Sequence, residues 1–185
     1  MGIDKRSVRL LPASPTFLQR TVAVGRAVAD RVAVIGDPYP NVRATFVPDR
    51  WPSEGPLGAL VTAFGLFPDH DLLVLASDYP LLQVELAARL IDSLNGHAGS
   101  VAVDGGGRRH PLVAAYDARR CAGIARTLFG AGERSMAALV DRICVRLVLD
   151  DDVGDSHGAS LSNVNTAEDL DALRVRCQSL DRGFR

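Results

Sequence analysis

Residues 72–76 read Leu-Leu-Val-Leu-Ala, an apolar run with no polar alternation. A strand with one wet face alternates. An unbroken run asks for cover on both faces, as a central parallel strand receives between two layers of helices. The flanking segments fit that frame. Residues 31–36 are β-branched and close at the Asp37-Pro38 turn, and residues 44–47 form a short strand stopped by Pro48. Residues 100–103 and 112–116 flank a polar, glycine-rich loop, and Ile143, Val145, Leu147 and Leu149 alternate. Helical spacing is predicted over 16–29 and 58–67 and in the stripe Ala87, Leu90, Ile91, Leu94, with Gly96 as its C-terminal cap. It recurs at Cys121, Ile124, Ala125, Leu128 and in the short run Met136, Leu139, Val140. Thr166 opens a last helix with Asp169 three residues on, an approximate capping box. Strands alternating with helices predict a three-layer α/β domain with a mainly parallel sheet.

The chain has 185 residues, the size of one domain, and 47% hydrophobic residues, enough for one core. Its 21 basic and 22 acidic side chains give a net charge of −1, which exerts no general pull on nucleic acid or an anionic membrane. Its apolar runs fall far short of the roughly 20 residues of a membrane span. The first residues, Met1-Gly2-Ile3-Asp4-Lys5-Arg6, lack the apolar core of a signal peptide. Cys121, Cys144 and Cys177 are odd in number and scattered, which reads as reduced thiols in the cytoplasm. Residues 176–185 read as a flexible tail.

Ligands of such sheets bind beyond the carboxyl ends of the strands. That rule selects loops 36–38, 48–57, 77–80, 104–111 and 162–166. Asp78 follows the apolar strand in Ser77-Asp78-Tyr79-Pro80. It either holds a hard divalent ion or caps the turn before the proline. Gly55-Pro56-Leu57-Gly58 is either a close backbone approach to a ligand or a plain helix start, the latter being the better reading of the segment alone. Asp49 can accept from a guanine's N1 and N2 donors or serve as a turn aspartate. Gly105-Gly106-Gly107-Arg108-Arg109-His110 is a basic loop that engages an anion or forms a solvated hairpin tip. The tip is the better reading on spacing alone. Arg134 can grip a phosphate, with Ser135 beside it as an N-cap. Asn163 and Asn165 lie on one side of an extended segment, as ligands or as capping residues. His70, His97, His110 and His157 read as surface residues unless His110 shares a site with its basic neighbours. A Walker loop, a zinc signature and a recognisable nucleophile turn are all absent from the sequence.

In order, these segments resemble the molybdenum cofactor guanylyltransferases. Met1-Gly2-Ile3-Asp4-Lys5 resembles the M-G-x-D-K that ends their signature loop. Asp49 with Gly55-Pro56-Leu57-Gly58 resembles their base-binding stretch, and Ser77-Asp78-Tyr79-Pro80-Leu81-Leu82 their metal segment. Pro111-Leu112 through Tyr116, Gly132-Glu133-Arg134-Ser135 and Asn163-Val164-Asn165-Thr166-Ala167-Glu168-Asp169-Leu170 complete the series. The resemblance implies a Rossmann-like nucleotidyltransferase fold and transfer of GMP from GTP to molybdopterin or its molybdenum form, with Mg²⁺. It implies Gly2 and Lys5 at the GTP phosphates and Asp78 on the metal. Asp37, Asp49, Gly55, Pro56 and Leu57 go to the GTP side. Arg134, Asn163 and Asn165 go to the pterin side, with Asn165 as a second metal contact. Molybdoenzymes or their chaperones are the implied recipients of the product. Asp37 stands where the family often has Asn, and Arg6-Ser7-Val8 replaces a small apolar run. Family members carry a strand and a glycine loop before M-G, so the resemblance places those two elements outside these residues. A cytidylyltransferase of the same fold and a non-catalytic binding protein are the alternatives.

Overall fold

The computed structural model describes residues 7–150 and 160–182. Gly2, Lys5 and His157 lie outside them. The elements are α1 (Phe17–Val28), β1 (Ala33–Ile35), β2 (Thr45–Val47), α2 (Gly55–Leu66), β3 (Asp71–Leu75), α3 (Val84–Asp92) and β4 (Gly99–Val103). They continue with β5 (Arg109–Asp117), α4 (Ala118–Gly130), α5 (Met136–Val140), β6 (Val145–Leu149) and α6 (Ala167–Arg182).

Local chemistry fixes several ends. Thr16 and Gln19 form a reciprocal capping box at the start of α1. Asp117 caps α4 by accepting from the amides of Arg119 and Arg120. At α6, Asp169 Oδ2 accepts from the Thr166 amide at 2.8 Å and the Thr166 hydroxyl accepts from the Asp169 amide at 3.1 Å. That helix runs on through residues 176–182, where the sequence suggested a tail. Gly96 does not end α3, whose C-cap is Ser93; it sits at φ +80° in the turn that follows.

Side-chain alternation in the sheet builds the layers. On one face, Val101, Ala114 and Tyr116 pack with Leu57, Leu60 and Phe64 of α2, with α4 and with α5. On the other, Ala102, Val113, Ala115 and Val148 pack with Val24 of α1 and with Leu86, Ala87 and Leu90 of α3. All five residues of β4 are buried, so β4 is the innermost strand. The result is the three-layer α/β sandwich that the alternation of elements predicts.

Strand direction departs from expectation in one place. The four-stranded sheet has the order β3-β5-β4-β6, and β5 runs antiparallel to both β3 and β4, while β4 and β6 are parallel. β1 and β2 pair in parallel as a separate two-stranded sheet. Hence β3, β4 and β6 share one direction, and β5 is the reversed strand. The central, parallel assignment of Leu72–Ala76 is corrected accordingly. Among the described residues β3 hydrogen-bonds only to antiparallel β5, and residues 72–75 are half-buried. The two-sided cover holds. Leu72 and Val74 join one cluster, while Leu73, Leu75 and Ala76 join the other. An apolar run reports how many faces are covered and carries no information on the direction of its neighbour.

Candidate functional site

The strand registers bring the carboxyl ends of β3, β4 and β6 together with the amino end of β5. Leu75 pairs with Val113, Val103 with Arg109, and Val103 with Leu149. Asp78, Asp104, His110 and Asp150 therefore lie at one edge of the sheet, where ligands of open α/β sheets bind.

Asp78 is half-buried in the turn after β3. The turn is fastened from several directions. The Val164 amide donates to the Asp78 carbonyl at 2.8 Å. Arg20 Nη1 donates to the Pro80 carbonyl at 3.0 Å, and the Gln83 amide donates to Ser160 Oγ at 3.1 Å. Val164 is buried, Asn163 half-buried and Asn165 exposed. The 163–165 segment is thus anchored by its middle residue against Asp78, with an asparagine on each side. Of the residues singled out in the sequence, these contacts bring together Asp78, Asn163 and Asn165.

A second group forms around α2. Asp49 Oδ1 accepts from the Trp51 amide at 3.0 Å and from Thr62 Oγ1 at 3.3 Å. Its Oδ2 takes no hydrogen bond among the described residues. Gly55 opens α2 at φ +77°, and a Cβ there would meet the Arg134 carbonyl at 3.2 Å. Only glycine tolerates that combination. Pro56 occupies the first turn. The Leu57 amide is directed at the Arg134 carbonyl, 3.4 Å away. Arg134 is held through its Nε and Nη1 and over a ring, with its side chain 39% exposed. Its Nε meets Glu54 Oε2 at 2.5 Å, its Nη1 donates to the Phe129 and Glu133 carbonyls at 3.0 Å each, and its guanidinium lies 4.3 Å over the Phe129 ring. These contacts place Arg134 with Gly55 and Leu57. None of them joins it to Asn163 or Asn165. Ser135 caps α5, its Oγ accepting from the Ala137 amide. Glu133 Oε1 receives the amides of Ser135 and Arg134, which hold its carboxyl below the usual range. Asp37 follows β1, exposed.

His110 and Asp150 stand out at this edge. His110 is buried, 2% exposed, which corrects its reading as a surface histidine. Its ring bridges Tyr79 and Asp104. That hydrogen bond from His110 is the main cause holding the Asp104 carboxyl below its usual range. Burial, with Asp78's charge second, pushes the Tyr79 hydroxyl up to about 12. Asp150, fully buried at the end of β6, is the other. Its signal was the position itself, an acid directly after a predicted strand. Among the described residues, no group of three or more His, Cys, Asp or Glu is arranged to hold a metal ion. No helix among them is long and apolar enough to cross a membrane.

Comparison with known proteins gives the frame for these contacts. The MobA-like NTP transferase domain matches residues 1–161. A probable molybdenum cofactor guanylyltransferase of Mycobacterium tuberculosis (strain ATCC 25618 / H37Rv) is 34% identical over 181 residues, 93% of this chain and 86% of the relative. One of Mycobacterium avium (strain 104) is 32% identical over 182 residues, 94% of this chain and 88% of the relative. The crystal structure of molybdopterin-guanine dinucleotide biosynthesis protein A from Archaeoglobus fulgidus superposes with a TM-score of 0.77 at 18% identity, covering 96% of this chain and 92% of that one. The 2-C-methyl-D-erythritol 4-phosphate cytidylyltransferase of Thermus thermophilus superposes with a TM-score of 0.69 at 17% identity, covering 94% of each chain. At such identities the two structures establish the fold alone, a Rossmann-like nucleotidyltransferase sandwich. By fold and by sequence, the chain belongs to the MobA-like NTP transferase family of nucleotidyltransferases.

Proposed function

We propose that this chain transfers GMP from GTP to the phosphate of molybdopterin or its molybdenum form, releasing pyrophosphate. The observation that carries the reading is the hydrogen bond from the Val164 amide to the Asp78 carbonyl. It joins the segment assigned to metal with the segment assigned to pterin. The mycobacterial relatives bear the guanylyltransferase name over nearly the whole chain.

The donors at this edge suit Mg²⁺. Asp78 offers a carboxylate, and Asn165, on a segment tied to Asp78's backbone, offers an amide oxygen. Hard oxygen ligands of this kind, completed by water and phosphate oxygens, are what Mg²⁺ takes. The ion supplies neutralisation of the charge that builds on the triphosphate. Gly2 and Lys5 go to the phosphates by resemblance. Asp49, through its Oδ2, accepts from the guanine edge, with the backbone at Gly55, Pro56 and Leu57 beside the ring and Asp37 on the same side. Asn163 and Asn165 donate amide N–H groups to the pterin. Arg134 goes to the pterin side by resemblance, while its contacts with Glu54 and the Phe129 carbonyl brace the turn against α2. The chain's residues bring two bound substrates into line and move no proton of their own, so rate comes from positioning.

Incubation with molybdopterin, Mg²⁺ and either GTP or CTP, followed by mass spectrometry, tests the reading. The guanine dinucleotide is the expected product. The cytosine dinucleotide would replace guanine by cytosine in the assignment. Triphosphate bound without any dinucleotide formed would make the chain a binding protein.

A further inference from the structure

Three polar side chains run in series beside Asp78, from buried Tyr79 and His110 out to half-buried Asp104. The Tyr79 hydroxyl lies 3.1 Å from His110 Nδ1, and His110 Nε2 lies 3.0 Å from Asp104 Oδ2. A carboxylate only accepts, so Nε2 donates to Asp104; in the neutral ring Nδ1 then accepts from the tyrosine. Both Tyr79 and His110 are buried. Asp104 Oδ1 also accepts from the amides of Gly106 and Arg108, 3.0 Å each, so the same carboxylate shapes the turn between β4 and β5.

Packing alone does not account for this series. Phenylalanine and leucine fill such positions without burying polar atoms, and a buried hydroxyl or imidazole is unfavourable unless its partner is met. A fully met series adds a single permitted arrangement. What it arranges is the ring of Tyr79, the residue next to Asp78.

We propose that Asp104, His110 and Tyr79 are positioning residues that aim the Asp78 carboxylate at the divalent cation of a bound nucleoside triphosphate. The proposal rests on the reading of Asp78 as the metal-holding carboxylate. The backbone is held from one side by the Val164 amide, and the side chain of Tyr79 is held from the other by His110. Together they fix the peptide that joins Asp78 to Tyr79, and with it the C-terminal side of the Asp78 Cα.

Tyr79→Phe deletes the hydroxyl and keeps the ring. Mn²⁺ affinity in the presence of GTP, read by electron paramagnetic resonance, is expected to weaken about tenfold, the lower end for loss of an outer partner of a metal site. The KM for Mn²⁺ in pyrophosphate release should rise in step. At saturating Mn²⁺, kcat should stay within about twofold, because the aligned complex still forms. His110→Asn, whose amide oxygen can accept from the tyrosine, should restore part of what His110→Leu loses. Wild-type Mn²⁺ affinity in Tyr79→Phe, with weakened affinity in Asp78→Asn, overturns the proposal alone. Wild-type affinity in Asp78→Asn as well overturns the metal reading and the proposal with it.

Discussion

The amide of Val164 donates to the carbonyl of Asp78 across 2.8 Å. Residues 86 positions apart in sequence are thereby held as neighbours at the edge where β3 and β6 end. The α6 capping box, Thr166 with Asp169, begins two residues later and keeps the asparagine segment from sliding along this edge. The account of the site rests on this junction.

Asp104 gives a pH signature. Its carboxyl is depressed, chiefly by the His110 hydrogen bond. Such a group contributes stability that is complete above its unfolded value, about 3.9, and is lost as the pH falls through its folded value. Asp104→Asn should therefore be less stable than wild type at neutral pH, by about 1 kcal/mol. The difference should shrink as the pH falls below about 4. Thermal melts across that range check it, and a constant difference would mean that the carboxylate's charge contributes nothing.

Gly55 and Arg134 should behave as a structural pair. A Cβ at Gly55 meets the Arg134 carbonyl at 3.2 Å while the backbone is held at φ +77°. Gly55→Ala should cost about 1–3 kcal/mol. Arg134→Lys gives up the planar fork and the stack on Phe129. Both variants should perturb the fluorescence of Trp51, the sole tryptophan, whose ring lies 5.4 Å from that of Phe129. Chemical denaturation followed at this single fluorophore reads stability and local packing together.

Much of this was legible in the sequence, for identifiable reasons. Hydrophobic spacing located the elements because each buries a stripe or a face. The Thr166–Asp169 pair marked the start of α6 because capping is local chemistry. The direction of β5 was not legible. Its neighbours are chosen by long-range pairing, and Leu112–Tyr116 reads the same in either direction. His110 was misread for a related reason. Its sequence neighbours are glycines and arginines, so local polarity suggested solvent, while β5 turns its ring inward onto Tyr79. The contacts of Arg134 with Glu54 and the Phe129 carbonyl were not legible either, because nothing near it in sequence announces them.

The thiols offer an independent check on the core. Cys121 is fully buried, its Sγ bonded to the Ala98 carbonyl at 3.0 Å, and burial pushes the thiol up to about 12. Cys144 is exposed. A thiolate is the reactive form, so maleimide at mildly alkaline pH should label Cys144 in the native protein and spare Cys121 until denaturant is added. Peptide mapping by mass spectrometry reads this directly. Equal labelling of the two would contradict the packing of α4 on the sheet.

The most direct measurement is Mg²⁺-dependent release of pyrophosphate from GTP in the presence of molybdopterin, compared between wild type and Asp78→Asn. Removing the carboxylate proposed to hold the ion should lower the rate by at least about a hundredfold, the scale of losing a main electrostatic contact in a transition state. Thermal melting should stay close to wild type, because Asp78 is half-buried at the sheet edge and lies outside the apolar clusters. Release that is equal in the two proteins, or absent from the folded wild type, would contradict the assignment of this edge as a guanylyl-transfer site.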